Sequence, residues 1–418
     1  MLDVKYIREN IELVKNNCKN RNVIIDIDRF LELDEKRRAL ITNIDELRGK
    51  KNATSKVKPN ESEINKMKEV GEKVKKMEVE LKVINEEYHN LLFSIPNLTH
   101  PDSPIGGEDN YEILYEHSEK PKFNFSVKTH DEIMDNLDLV DFERGAKVAG
   151  SKFYFVKRDA VRLNQALLNY GLDILEKHNF TLMETPDLAK EEIVNGAGFN
   201  PRGEESQIYK VEDSDLMLIG TAEIPLLGYH ASEVIDLSDG PKKYAAISHC
   251  FRTEKGAYGK ANKGMYRVHQ FTKLEMFVFC KPDESDLIHK LLLEIEKEIC
   301  RGLDLHYRII DVPTADLGGS AYRKYDIEAW MTMQGENGGY GEITSASNCT
   351  DYQARRLNIK FRNNEGKAEF VHTLNGTAVV LSRFPLAIIE NHQQADGSVN
   401  IPKALQKYMG KSKIKKIK

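Results

Sequence analysis

Cysteine is scarce in this 418-residue chain, and the five present, Cys18, Cys250, Cys280, Cys300 and Cys349, form no C-x-x-C pair. That scatter argues against a zinc ribbon or a disulfide scaffold, and for a reducing, cytoplasmic setting. No run approaches the roughly 18 consecutive apolar residues of a membrane-spanning helix. The opening Met1-Leu2-Asp3-Val4-Lys5-Tyr6 lacks the apolar stretch of a secretory leader. A membrane is therefore not expected among its partners. Neither sign of charge dominates: 61 Lys and Arg stand against 66 Asp and Glu, a net charge of −5. Contact with a polyanion would need a local basic patch. The loops G-x-x-x-x-G-K-[ST] and G-x-G-x-x-G are missing, as are G-x-S-x-G and H-E-x-x-H. Their absence removes the common phosphate-binding loops, the nucleophile-elbow hydrolases and the zincins. What is present is a 40% apolar, 30% charged composition, long enough for two or three domains.

Periodicity is clearest between residues 28 and 95. Leu33, Leu40 and Leu47 form one heptad row, and Phe30, Arg37 and Ile44 form a second that only Arg37 breaks. The pattern pauses at Gly49, a plausible helix terminator. It resumes after Pro59-Asn60, where Asn60 and Glu63 resemble a capping box. Met67, Val74, Leu81 and Tyr88 then run beside Val70, Met77, Ile84 and Leu91. Two such rows predict a coiled coil, and the short connection predicts an antiparallel hairpin. Pro96 ends it. The hairpin tip, residues 48–58, carries five basic residues and no acid. A solvated loop and a phosphate-backbone contact both fit that composition.

Pro96 to Gly107 reads as a linker. Beyond it, Asp159–Lys177 and Asp283–Cys300 have helical spacing, with Asp283 a plausible N-cap. Residues 180–184, 273–280, 306–312 and 325–333 read as strands. Strands with single helices between them, and no βαβ rhythm, predict an α+β domain on a largely antiparallel sheet. The terminal residues 411–418 read as a disordered basic tail.

The densest chemistry lies in Phe251-Arg252-Thr253-Glu254, a glycine-containing loop, then Arg267-Val268-His269-Gln270-Phe271-Thr272-Lys273-Leu274-Glu275. This resembles motif 2 of the class II aminoacyl-tRNA synthetases, in the form found in the seryl-tRNA synthetase family. Gly220-Thr221-Ala222-Glu223 is similar to that family's serine-binding loop. The segment from Gly341-Glu342-Ile343-Thr344-Ser345 through Gln353 to Arg356 is similar to its metal and ATP strand. Asn375-Gly376-Thr377 with Ser382-Arg383 is similar to motif 3. Residues 141–150 and Thr185-Pro186 match the approach to motif 1. The blocks occur in family order over essentially the whole chain.

The resemblance implies an α+β architecture in three parts. Residues 1–105 would be a tRNA-binding coiled-coil arm. Residues 106–410 would be a class II catalytic domain on a mostly antiparallel sheet, and 411–418 a basic tail. It implies an ATP-dependent ligase joining L-serine to tRNA-Ser through a seryl-adenylate, with tRNA-Sec left open as a second acceptor. Arg252 and Arg383 would be catalytic. Thr221, Ala222, Glu223, Arg252, Glu275 and Thr377 would bind serine. Arg252, Thr253, Glu254, Val268, Phe271, Glu342, Ile343, Thr344, Ser345 and Arg383 would bind ATP, with Phe271 below the adenine and Arg383 above it. Glu342 and Ser345 would hold Mg2+, and no zinc is expected. Lys50, Lys51, Lys56 and Lys58 would bind tRNA-Ser with its long variable arm. A cytoplasmic homodimer completes the expectation.

The residue types suit that chemistry. The serine carboxylate is already an anion when it attacks the α-phosphate, so no general base is required. The site must neutralise phosphate charge and align the reactants. An arginine fork can bridge a carboxylate and a phosphate. Where the family has glycines in motif 3, this chain has Ala378 and Ser382. That departure keeps open a divergent paralogue giving resistance to a seryl-adenylate mimic. An amino-acid:carrier-protein ligase is a further alternative, although such enzymes lack the long arm.

Overall fold

A computed structural model describes residues 1–55, 61–199, 207–254, 264–332 and 338–416; the side chains of residues 53–55, 63 and 64 are also outside the described set. Lys56, Lys58 and the Asn60–Glu63 pair therefore lie outside it. The chain divides into two compact units, Met1–Leu98 and Thr99–Lys418.

The first unit has helices α1 (Val4–Glu9), α2 (Ile11–Asn20), α3 (Ile27–Ser55) and α4 (Glu61–Ser94). Asp3 caps α1 by accepting from the backbone N–H groups of Lys5 and Tyr6. At 34 residues, α4 is about 50 Å long. It runs antiparallel to α3: Arg29 pairs with Glu87, Arg37 with Asn85, and Arg48 with Glu78. Phe30, Leu33, Ile44, Val74 and Tyr88 are buried in the seam. Arg37 is tolerated there because its guanidinium donates to Asn85 Oδ1 at 2.8 Å and lies 5.0 Å over the Tyr88 ring. Gly49 is not a terminator. Helix α3 continues through it to Ser55. A mid-helix glycine costs only about 1 kcal/mol, and the hairpin seam outweighs that.

The second unit is built on an eight-stranded sheet. Its strands in chain order are β1 (Glu112–His117), β2 (Thr181–Glu184), β3 (Lys242–Phe251), β4 (Gln270–Cys280), β5 (Tyr307–Asp311), β6 (Arg323–Met331), β7 (Gly339–Asn348) and β8 (His372–Val380). Their spatial order is β1-β5-β6-β7-β8-β4-β3-β2. All pairs are antiparallel except β2 with β3. Helices α5 (Asp159–Lys177) and α6 (Ser285–Gly302) cover one face. Leu163, Leu167, Leu292, Ile295 and Ile299 join the strands in the main core. Helix α7 (Phe384–Asn391) follows β8 and is buried along its length.

Two local details place the site. The first is a register shift between Ile327 and Glu328, where β6 meets β7. Asp326 faces Ser345 and Glu328 faces Glu342, so a bulge lets Glu342 and Ser345 share one face despite their odd spacing. The second is the short ladder between β7 and β8. It has three rungs, Ala346–Gly376, Ser347–Asn375 and Asn348–Leu374. Both strands run on beyond Ala346 and Gly376 without pairing to each other, which opens a cleft between them.

Two expectations are corrected. Asp283 does not cap α6; it lies inside a 3-10 turn, Pro282–Glu284, and Glu284 accepts from the Lys281 N–H at 3.1 Å. Proline at the first position starts that turn and displaces the helix start to Ser285. Nor is the basic tail disordered as far as it is described. Lys413–Ile414 pairs with Val399–Asn400, Ile414 is fully buried, and Lys411 bonds Asp159 at 2.8 Å. One isoleucine in a charged run is enough to dock it against the core.

Candidate active site

The splayed ends of β7 and β8, with the start of β4, border an open cleft. Arg252, Glu254, Tyr266, Arg267, Val268, Phe271, Lys273, Glu342, Ile343, Thr377, Val380, Ser382 and Arg383 line it. Arg252 follows the last residue of β3. Its N–H donates to the His269 carbonyl, and its own carbonyl is 2.9 Å from His269 Nδ1. The backbone is thus held from both sides. The guanidinium lies 5.2 Å over the Phe271 ring and donates to the Gly220 carbonyl. His249 is held by Asp187 at 2.8 Å. Both histidines act as hydrogen-bonding supports.

The segment entering β4 is pinned at Gly264, which has φ +66°. A Cβ there would fall 1.9 Å from His130 Nε2, so only glycine lets the chain pass. Met265 N–H donates to that nitrogen at 3.4 Å, while Nδ1 bonds Glu390 at 2.9 Å. Residues 255–263, the loop of the expected motif 2, are outside the described set.

At one end of the cleft, Arg383 bonds both the carboxylate and the carbonyl of Glu342 at 3.0 Å. It lies 4.9 Å over Tyr266, whose hydroxyl donates to the Glu342 carbonyl at 3.1 Å. Burial works to raise the Glu342 carboxyl, but Arg383 and Lys324 overcome it and hold the group below the usual carboxylate range. Glu254 pairs with Arg267 at 3.4 Å.

At the other end the groups are buried. Thr221 Oγ1 donates to Glu275 Oε2 at 3.0 Å and accepts from Lys273 Nζ at 3.0 Å. Lys273 also pairs directly with Glu275. Glu223 Oε1 accepts from Gln353 Nε2 at 2.5 Å and from Asn375 Nδ2 at 3.1 Å. Burial pushes the Glu223 carboxyl up to about 7 against those donors. Two carboxyls beside one lysine leave capacity for a further cation.

Of the expected residues, Arg252, Glu254, Val268, Phe271, Glu342, Ile343, Thr377 and Arg383 line the cleft together. Thr221 and Glu275 join them through Lys273, and Ala222 is buried between Thr221 and Glu223. Thr253 contributes its N–H to the Gln207 carbonyl. Thr344 turns its hydroxyl to Glu296 on the helix side of the sheet. The aromatic under Arg383 is Tyr266, and Phe271 carries Arg252 instead. Lys273, Tyr266, Gln353 and Asn375 had no assigned role. All four sat inside the recognised strings, but nothing local links Gln353 to Glu223.

Glu342 and Ser345 offer oxygen donors on one face, as a hard cation requires. Asp326, opposite Ser345, has a buried Oδ1 with no partner among the described residues. The donor set fits Mg2+, although no group of three His, Cys, Asp or Glu poised for a metal occurs among the described residues.

Comparison with known proteins follows the same division. Residues 1–99 match the family described as the seryl-tRNA synthetase N-terminal domain. Residues 209–392 match the tRNA synthetase class II core domain (G, H, P, S and T). A serine–tRNA ligase of Treponema denticola is 51% identical over 99% of this chain and all of its own length. One of Rubrobacter xylanophilus is 46% identical over 99% of both chains. The seryl-tRNA synthetase of Pyrococcus horikoshii complexed with ATP superposes with a TM-score of 0.89 at 38% identity, covering both chains fully.

Proposed function

The chain belongs to the seryl-tRNA synthetase family and attaches serine to tRNA, and from that premise we propose how its cleft does so. Serine sits at the buried end, its ammonium facing Glu223 and Glu275 and its hydroxyl near Thr377. A site built to hydrogen-bond a hydroxyl rejects alanine by leaving polar groups unpaired. ATP occupies the other end, between Phe271, Arg383 and the Glu342 strand, with Glu254 accepting from the adenine. Arg252 lies between the two ends and neutralises the carboxylate and α-phosphate as they meet, giving a seryl-adenylate and pyrophosphate. Mg2+ bound by Glu342 and Ser345 would supply charge neutralisation at the phosphate oxygens. The observation that carries this reading is Arg252, anchored at its backbone and reaching both the Phe271 face and Gly220 of the serine loop. Its test is serine-dependent ATP–pyrophosphate exchange, with and without Mg2+, followed by charging of tRNA-Ser. Exchange supported equally by alanine or threonine would sink the serine assignment.

Lys50, Lys51, Lys56 and Lys58 of the arm would engage the long variable arm of tRNA-Ser. The match of residues 1–99 to the family's N-terminal domain weighs against the carrier-protein alternative. We place the protein in the cytoplasm as a homodimer. Five free, buried cysteines suit a reducing compartment. The edge strand β1 leaves Ile113, Leu114 and Tyr115 exposed, as a second copy would require. A monomer mass by light scattering at micromolar concentration would contradict the dimer.

Glu223 makes serine binding pH-dependent. Because burial raises its carboxyl to about 7, the folded protein holds that proton more tightly than the unfolded chain. Any stability it lends is therefore lost as pH rises from the ordinary carboxylate range through about 7. Serine binding runs the other way, since an ammonium prefers the ionised partner. The KM for serine in exchange should fall about five- to tenfold between roughly pH 6 and 8. Glu223→Gln should give a higher KM with no such slope, and an unchanged slope in that variant would refute the assignment.

A further inference from the structure

Helix α6 carries one acid on its buried face. Glu296 is fully buried among Leu292, Ile295, Ile299 and Cys300. An unsupported carboxyl there would be costly, so its partners matter. Thr344 Oγ1, on β7, donates to Glu296 Oε2 at 2.8 Å. Oε1 has no hydrogen-bond partner among the described residues and rests on Gly376. A Cβ at Gly376 would lie 3.1 Å from it and 3.0 Å from Met276. Glycine is what lets the acid approach the strand this closely.

The location explains the contact. The β7–β8 ladder ends at Ala346–Gly376. Thr344 lies two residues beyond Ala346 on β7, on the side where the strands no longer pair, and Gly376 is the last paired residue of β8 on that side. Glu296 bridges them from the helix side, as a substitute rung. Above this bridge, β7 presents Glu342 and Ser345, and β8 presents Thr377.

We propose that Glu296 is a positioning residue for amino-acid activation, tying β7 to β8 beyond their last rung and setting the distance between the ATP end of the cleft and the serine end. The proposal rests on the reading of Thr377 and Glu342 given above. The bridge works with a neutral acid, which accepts from Thr344 and rests on Gly376 without a buried charge. Burial, with Asp326 and Glu275 nearby, pushes the carboxyl up in that direction.

The test compares Glu296→Gln with Glu296→Leu. Glutamine keeps the acceptor oxygen, and its exchange kinetics should stay within about twofold of the parent. Leucine matches the volume but removes the bridge. Leucine alone leaves the buried Thr344 hydroxyl without its acceptor and should lower the melting temperature, whereas Glu296→Leu with Thr344→Val removes both partners of that bond and should keep it near the parent's. Serine-dependent exchange should nevertheless fall about tenfold in kcat/KM, through both kcat and the KM for serine. A double variant of parental stability that is nevertheless slower is a result that a packing role alone does not give. Thr344→Val cuts the same bridge from β7 and should shift kinetics in the same direction, so the outcome stands even if the leucine variant does not fold. Parental exchange in either bridge-cutting variant, or a glutamine variant as slow as leucine, would overturn the proposal. Parent exchange and a loss in Thr377→Ala, run alongside, separate that failure from failure of the serine-site reading.

Discussion

Replacing Arg252 by alanine is expected to cut serine-dependent exchange by about 10³-fold, roughly 4 kcal/mol of transition-state stabilisation. The chemistry asks for little else. The nucleophile arrives charged, so the barrier is the cost of bringing a carboxylate onto a phosphate. The carbonyl bond to His269 and the Phe271 face hold the guanidinium in place, and little ordering remains to be done during reaction. Arg252→Lys keeps the charge but loses the planar fork, and should still lose about 10²-fold. The melting temperature should hardly change in either variant, because Arg252 is only half-buried and its bond to Gly220 is long at 3.3 Å. Exchange in Arg252→Ala within a factor of about ten of the parent would remove this residue from the centre of the mechanism.

Removing the arm should separate the two half-reactions. Arg48 and Glu78 face each other across the hairpin at 2.7 Å, so a short glycine linker can replace residues 49–77 without bending either helix. That deletion takes Lys50, Lys51, Lys56 and Lys58 and none of the cleft residues. Exchange should stay within about twofold of the parent, because the catalytic unit keeps its own core. Charging of tRNA-Ser should fall at least about 100-fold. The salt dependence of charging should flatten by up to about 0.9 in log–log slope for each phosphate that the arm no longer neutralises. Undiminished charging would make the tip a solvated loop, the plainer reading of its composition.

The arm was legible because its information is local. A heptad repeat states which side of a helix is apolar, and a helix hides that side against whatever matches it. Gly49 misled because a glycine between two strong rows is a small local cost set against a long seam. The basic tail misled for a similar reason: composition registers the lysines, and docking depends on one isoleucine among them. In the cleft, the strings around Arg252, Glu275, Glu342 and Arg383 were readable because they resemble the motifs of a known family, each contained within one strand and its flanking residues.

Sequence alone thus determined the α+β class, the hairpin, the antiparallel character of the sheet and the residue types of the cleft. Tertiary structure decided which of them meet. Thr221 finds Glu275, Glu223 finds Gln353 and Asn375, and Arg383 finds Tyr266 and Glu342. It also decided that a bulge brings Glu342 and Ser345 to one face, and that an acid on α6 bridges two strands where their ladder stops. The physical reason is range. Periodicity and motif spacing encode geometry within one element, whereas these pairings depend on strand order, on register and on where the ladder ends, which only the packed sheet sets.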